Sequence, residues 1–294
     1  MLDFTIEKYG KLCSAIKGNY ETLTFNEYLN SMNSKSKFII LRHDVDRMPE
    51  NALKTAEVEH EFNIKSTYYF RTNKSVFRKE IIEEIASLGH EIGYHYECMD
   101  KAGGDPDKAI IVFKEELKKF REIYDVKTIC MHGNPLTKHD NRDLWKKYDY
   151  KKFGISGEAY LSMKEDVAYF SDTGRTWGKE YKIKDFNINL SSNYNSNSNY
   201  NSNSNYNSKI KTTDDLINLI ESKKLEKICI LSHPERWSKN LFEWMGYFTF
   251  DKGVQGFKIL RNKFVTIQPP QKLKVNFLIF LNFLKFSHVN FCTL

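Results

Sequence analysis

Short apolar runs recur along this chain at intervals filled by helical patterning, and each run stops in ionisable side chains. Phe38-Ile39-Ile40-Leu41 leads into Arg42-His43-Asp44-Val45-Asp46, Ser66 to Phe70 is rich in aromatic residues, and Glu91 to Tyr96 carries His95 and ends at Glu97. Val126 to Met131 delivers His132, and Lys227 to Leu231 delivers Ser232-His233-Pro234. Between them lie segments with apolar residues at three-to-four spacing: Ala52, Leu53, Ala56 and Phe62 after Pro49, and a long stretch from Asp105-Pro106 to about Ile123. Runs of strand length alternating with helical segments predict an α/β fold with a parallel sheet. In such folds the C-terminal ends of all strands lie on one side, so Asp44, Asp46, His95, Glu97, His132 and His233 are expected to converge there.

Extended backbone alternates side-chain faces, which sets Asp44 and Asp46 on one face, about 6.6 Å apart along the strand. Two carboxylates there repel unless a positive group sits between them. A metal ion removes that penalty and leaves one carboxylate free as a base.

The 294 residues suffice for one large α/β domain. The expected organisation is a helical cap at 1–36, a β/α body at 37–237 and an extension at 238–294. The formal charge of +7 comes from lysines interspersed with glutamates, as in Lys114 to Glu122, which describes a solvated surface and argues against nucleic acid as a partner. The five cysteines (Cys13, Cys98, Cys130, Cys229, Cys292) form an odd set without CxxC spacing and read as reduced, core-type residues of a cytoplasmic protein. The first residues are charged early and lack the apolar centre of a secretion signal.

Further expected elements are a helix from about Val76 to Leu88 closed by Gly89, a short helix near Leu144, strands near Gly154 to Ser156 and Val167 to Phe170, and a helix capped by Thr213-Asp214-Asp215. Residues 191–208 repeat Ser-Asn-Ser-Asn-Tyr-Asn with nothing apolar to bury, and the expectation is a disordered insert. The apolar run at 275–286 is too short to span a bilayer; a packed terminal element is the main expectation, and a membrane-surface anchor the lesser one. His60, His139 and His288 default to structure or solvent. Tyr94, Tyr96, Trp177 and Trp237 lie beside the motifs, where they suit sugar stacking but also simple packing.

These motifs resemble the metal-dependent polysaccharide deacetylases of the NodB-like group, the family 4 carbohydrate esterases. The matching residues are Asp44-Val45-Asp46, Gly89-His90-Glu91-Ile92-Gly93-Tyr94-His95 and Leu231-Ser232-His233. Together with His132-Gly133 and His233-Pro234-Glu235-Arg236-Trp237 they look like a divergent subgroup associated with surface-polysaccharide biosynthesis. The resemblance implies a distorted (β/α) barrel and a hydrolase that removes acetyl groups from an acylated sugar or sugar precursor. It implies Asp44 as catalytic base, His233 as general acid, Asp46 and His95 as ligands of a divalent cation (Zn first, with Co, Mn or Ni as alternatives), and Asp172, Arg175 or Arg42 as supporting groups. The family's second histidine ligand falls on Met99, a poor ligand for such ions. The third ligand is therefore expected from His132, with Glu97 as the alternative. The rival readings are a hydrolase of cyclic amides or ureides, and a catalytically silent member that binds glycan or a partner enzyme.

Overall fold

The computed structural model describes residues 2–31, 35–134, 137–177 and 210–249. The repeat at 191–208, the apolar run at 275–286, His288 and Cys292 lie outside the described residues.

All strand pairings among the described residues are parallel. The strands are β1 (Glu21–Leu23), β2 (Phe38–Val45), β3 (Thr67–Phe70), β4 (Glu91–Tyr96), β5 (Thr128–Met131), β6 (Gly157–Glu158), β7 (Ala168–Ser171) and β8 (Lys227–Ser232). Seven of them run β6-β5-β4-β3-β2-β8-β7 across the sheet. The strand β8 occupies one edge of β2 from Phe38 to His43, so β1 (at Phe38 to Ile40) and β3 (at Arg42 to Val45) follow one another along the other edge. In a flat sheet β2 and β6 would stand about 19 Å apart, four spacings of roughly 4.8 Å. Yet Arg42 of β2 donates a hydrogen bond of 2.8 Å to the hydroxyl of Tyr160, two residues past β6. The sheet is therefore curled into a half-barrel, with β6 and β7 unpaired to each other among the described residues.

The helices are α1 (Ile6–Asn19), α2 (Phe25–Ser31), α3 (Pro49–Glu61), α4 (Lys79–Ser87), α5 (Cys98–Lys101), α6 (Pro106–Arg121), α7 (Leu144–Lys147), α8 (Thr213–Glu221) and a last helix, α9, at 241–249. Of these, α1, α3, α4, α6 and α8 cover the outer face, whereas Phe25 and Tyr28 of α2 pack against the residues inside the curl. Local chemistry fixes their ends. The Thr5 hydroxyl accepts from the Lys8 amide at the start of α1, and Asp105 accepts from the amides of Asp107 and Lys108 before Pro106 opens α6. Thr212, not Thr213, caps α8, in a reciprocal box with Asp215. Gly89, at φ +94°, ends the turn after α4.

Strand alternation sorts the core. Outward residues such as Tyr68, Phe70, Ile92, Tyr94 and Ile129 pack against α3, α4 and α6, while Ile39, Leu41, Phe170 and Ile230 pack against α1 and α8. Inward residues Ile40, Tyr69, Cys130, Val167 and Cys229 meet in a third cluster inside the curl. The N-terminal segment is more than a cap, since β1 joins the sheet and α1 forms part of the outer layer. The strand expected near Gly154 to Ser156 lies at Gly157–Glu158. Cys13, Cys98, Cys130 and Cys229 are free and buried. No helix among the described residues is long and apolar enough to cross a membrane.

Candidate metal centre

The alternation along β2 turns Arg42 and Asp44 into the curl and His43 out towards α3. Asp46 follows directly after the strand, His95 comes from β4 and His132 from the residue after β5, so three strands deliver their C-terminal residues to one point. Asp46 Oδ1 lies 3.4 Å from His95 Nε2 and 3.4 Å from His132 Nε2. The two imidazole rings stand nearly perpendicular, at 85°, with centroids 5.3 Å apart. Asp46 Oδ1 is buried and has no hydrogen-bond partner. Unsatisfied buried carboxylate oxygens are costly, and one aimed between two imidazole nitrogens marks a place for a cation. At the bond lengths typical of Zn, about 2.0–2.1 Å, two ligands of a tetrahedral site stand about 3.3–3.4 Å apart, which is the spacing found here. The residues thus fit a divalent cation of borderline softness.

The support around this group fixes each ring. His95 Nδ1 is 3.0 Å from the carbonyl of Cys130, to which it donates its proton, and this leaves the lone pair of Nε2 turned towards the centre. His132 Nδ1 lies 3.4 Å from Glu97 Oε2, and Glu97 in turn accepts from Arg71 at 2.7 Å and faces Lys101 at 3.3 Å. Arg71 also reaches the carbonyl of Asp46, at 3.4 Å. Among the described residues the groups able to share an ion are Asp46–His95–His132 and Asp44–His95–Cys130. Glu97 belongs to neither and acts instead on His132. Met99 is buried in the outer core and contributes no donor.

Burial raises the Asp46 carboxyl, but the imidazoles of His132, His95 and His233 outweigh it and hold the group well below the usual carboxylate range. Burial also acts against Glu97, which His132 and Arg71 nevertheless hold low.

Asp44, almost wholly buried, meets Arg42 Nη2 at 3.2 Å and His95 Nε2 at 3.8 Å. On the other side of the mouth Asp172, just past β7, accepts from His233 twice, from the amide at 2.8 Å and from Nδ1 at 2.6 Å. Burial and Arg236 lower the pKa of His233, but the charge and hydrogen bond of Asp172 prevail and leave it raised. Burial opposes ionisation of Asp172 as well, and Arg236 and His233 bring its pKa down. The guanidinium that reaches Asp172 is that of Arg236. Arg175 donates its backbone amide to the Asp172 carbonyl, at 2.9 Å, and its guanidinium lies 5.8 Å from the Phe4 ring.

Three residues of this region have contacts that the sequence does not reveal. Cys130 reads as one more apolar strand residue, and Arg236 and Glu235 sit in a motif whose contacts only the fold reveals. Glu235 is buried beside Arg47, at 3.4 Å, and burial raises its pKa. Tyr94, Tyr96, Trp177 and Trp237 are all 2% exposed or less and pack in the core, so they offer no stacking surface. His60 is an exposed helix residue whose Nδ1 lies 2.9 Å from the Leu88 carbonyl, and His139 packs over Gly104.

No family model matches the sequence, and no curated protein matches it. The functional reading therefore stands on the geometry and on the motifs.

Proposed function

We propose that this protein is a divalent-cation-dependent hydrolase that removes an acyl group, acetyl in the first instance, from an amino sugar or polysaccharide precursor, on the plan of the NodB-like deacetylases. The observation that carries the proposal is the Asp46–His95–His132 group with Asp44 on one side and the His233–Asp172 pair on the other. The departure at Met99 leaves the donor set complete, because His132 supplies the third ligand from the neighbouring strand.

Asp46, His95 and His132 would hold the cation, which when bound supplies Lewis acidity to an acyl carbonyl and to water. Asp44, turned into the curl and oriented by Arg42, takes the proton from the attacking water. His233, kept protonated towards higher pH by Asp172, returns a proton to the departing amine or alkoxide. Burial of Asp44, His95, Asp172 and His233 keeps bulk water away from the proton transfers and strengthens each charge interaction.

The test is a pair of variants on a panel of acetylated amino sugars, with cyclic imides as the contrast. Asp46→Ala is expected to lose the cation, measured by metal analysis after gel filtration. Asp44→Asn is expected to keep it while turnover drops about a hundredfold or more. Wild-type turnover in both variants, or hydrolysis of cyclic imides alone, overturns the assignment.

A further inference from the structure

The second donor group shares one atom with the first. His95 Nε2, the only free nitrogen of that ring, lies 3.4 Å from Asp46 Oδ1 and 3.8 Å from Asp44 Oδ2. Asp44 in turn faces Cys130 Sγ, at 3.8 Å from Oδ1 and 4.0 Å from Oδ2. A ring nitrogen has one lone pair, so a cation bound to Asp44–His95–Cys130 excludes a cation bound to Asp46–His95–His132.

The two sets differ in chemistry. The first offers carboxylate and two imidazoles, suited to Zn and its neighbours; the second offers a thiolate, which selects softer ions. The spacing differs in the same sense. With Zn–S near 2.3 Å and Zn–O near 2.1 Å, a tetrahedral sulfur–oxygen edge is about 3.6 Å, shorter than the separations found here. The larger separations suit a larger, thiophilic ion.

We propose that Asp44, His95 and Cys130 form an alternative site for a large thiophilic divalent cation of the cadmium type, and that its occupation blocks the centre by taking the shared imidazole. Binding exchanges the thiol proton of Cys130 for the cation and releases that proton to solvent. No electron is transferred and no bond other than S–H is broken. The blocking effect rests on the hydrolase reading, since Asp44 is then withdrawn as base; the binding itself does not.

The experiment is titration of the metal-stripped full-length protein with cadmium, read by the ultraviolet thiolate-to-cadmium charge-transfer band and by metal analysis. One equivalent is expected to develop the band. The band is expected to vanish in Cys130→Ser and in His95→Ala, and to survive in Cys229→Ser and in Asp46→Ala, with circular dichroism showing that each variant is folded. In the wild-type protein, added zinc is expected to displace the band competitively. If cadmium binds without a thiolate band, if the band survives loss of Cys130, or if zinc and cadmium bind together without competition, the inference is overturned. Zinc retention that depends on Asp46 and His132 in a protein showing no thiolate band would overturn this inference alone. Failure of both ions to bind would overturn both it and the hydrolase reading.

Discussion

Glu97 shows how one carboxylate near a candidate metal centre can matter without belonging to the donor set. Its oxygen lies 3.4 Å from His132 Nδ1, and Arg71 and Lys101 hold it in place behind that ring. A carboxylate behind a ligating imidazole raises ligand basicity and restricts the ring, and losing it typically costs 10–100-fold in metal affinity. Glu97→Gln is therefore expected to weaken cation binding by about that factor with an unchanged circular dichroism spectrum, measured by competition with a chromogenic chelator. Strand position makes His95 and His132 legible in the sequence, because a polar residue at the end of a buried strand has nowhere else to go. It does not reveal that Glu97 faces a neighbouring imidazole rather than an ion, since alternation gives the face of a strand and not the partner across it. For the same reason the sequence does not reveal that the Arg236 guanidinium reaches Asp172. A second residue-scale expectation concerns Asp172. It raises the pKa of His233, so the imidazolium persists to higher pH and is lost as pH rises through that value. Asp172→Asn removes the raising charge. The alkaline limb of kcat/KM is then expected to move to lower pH, and an unmoved limb would remove His233 from the role of acid.

At the scale of elements, β2 has two polar faces with different duties. Inward, Arg42 and Asp44 serve the centre. Outward, His43 meets Glu59 of α3 at 2.7 Å, and the same buried carboxylate accepts from Ser66 at 2.6 Å, from Tyr68 at 2.8 Å and from Tyr9 of α1. Four donors, from α1, β2, β3 and the residue just before β3, thus converge on one helix residue, and they clamp the outer layer to the strand that carries the site. Burial alone would raise Glu59, but His43, His90 and Ser66 bring its pKa down to about 2. A depressed carboxyl contributes stability that is present above its unfolded value, about 4.3, and is lost as pH falls through the folded one. Glu59→Gln is expected to destabilise the fold by about 3–5 kcal/mol, because an amide must turn N–H groups towards donors and leaves buried partners unmatched. It should also flatten the dependence of stability on pH between roughly 4.3 and 2, measured by urea unfolding at each pH. None of this was legible in sequence. Alternation puts His43 on the face opposite Asp44, but nothing local says that it meets there a glutamate sixteen residues on. The longer strands and helices were legible because their periodicity persists for several turns or alternations. The three residues of β1 and two of β6 were not, being too short to show a period, and their pairing is decided by the curled sheet they join.

For the molecule as a whole, the centre depends on the curl, and the curl depends on connections that return each strand to the same side. The connection from β7 to α8 is the longest, since it contains residues 178–209, which include the Asn/Ser/Tyr repeat at 191–208. The described residues on either side of it meet directly. The Thr176 hydroxyl and the Trp177 amide both donate to the Lys211 carbonyl, at 3.0 and 3.2 Å, and the Trp177 indole donates to Thr213 at 3.0 Å. Trp177 is buried against Phe4 and Trp237. The chain therefore leaves and returns at one fixed point, and the fold across that point is held by contacts that lie outside the repeat. Loop-closure entropy changes slowly with length, by about 0.6 kcal/mol per doubling, so shortening a loop whose ends are already pinned alters stability little. Replacing 191–208 by a four-residue Gly-Ser linker is expected to leave unfolding free energy within about 1 kcal/mol of the parent, with a small gain favoured by the shorter loop. Cation retention should be unchanged, because Asp172, His233 and the three ligands are held by strands and not by the connection. A drop in stability of several kcal/mol, measured by denaturant unfolding, would mean that the repeat packs on the domain. Loss of cation retention with stability intact would mean instead that the repeat helps to close the mouth over the centre.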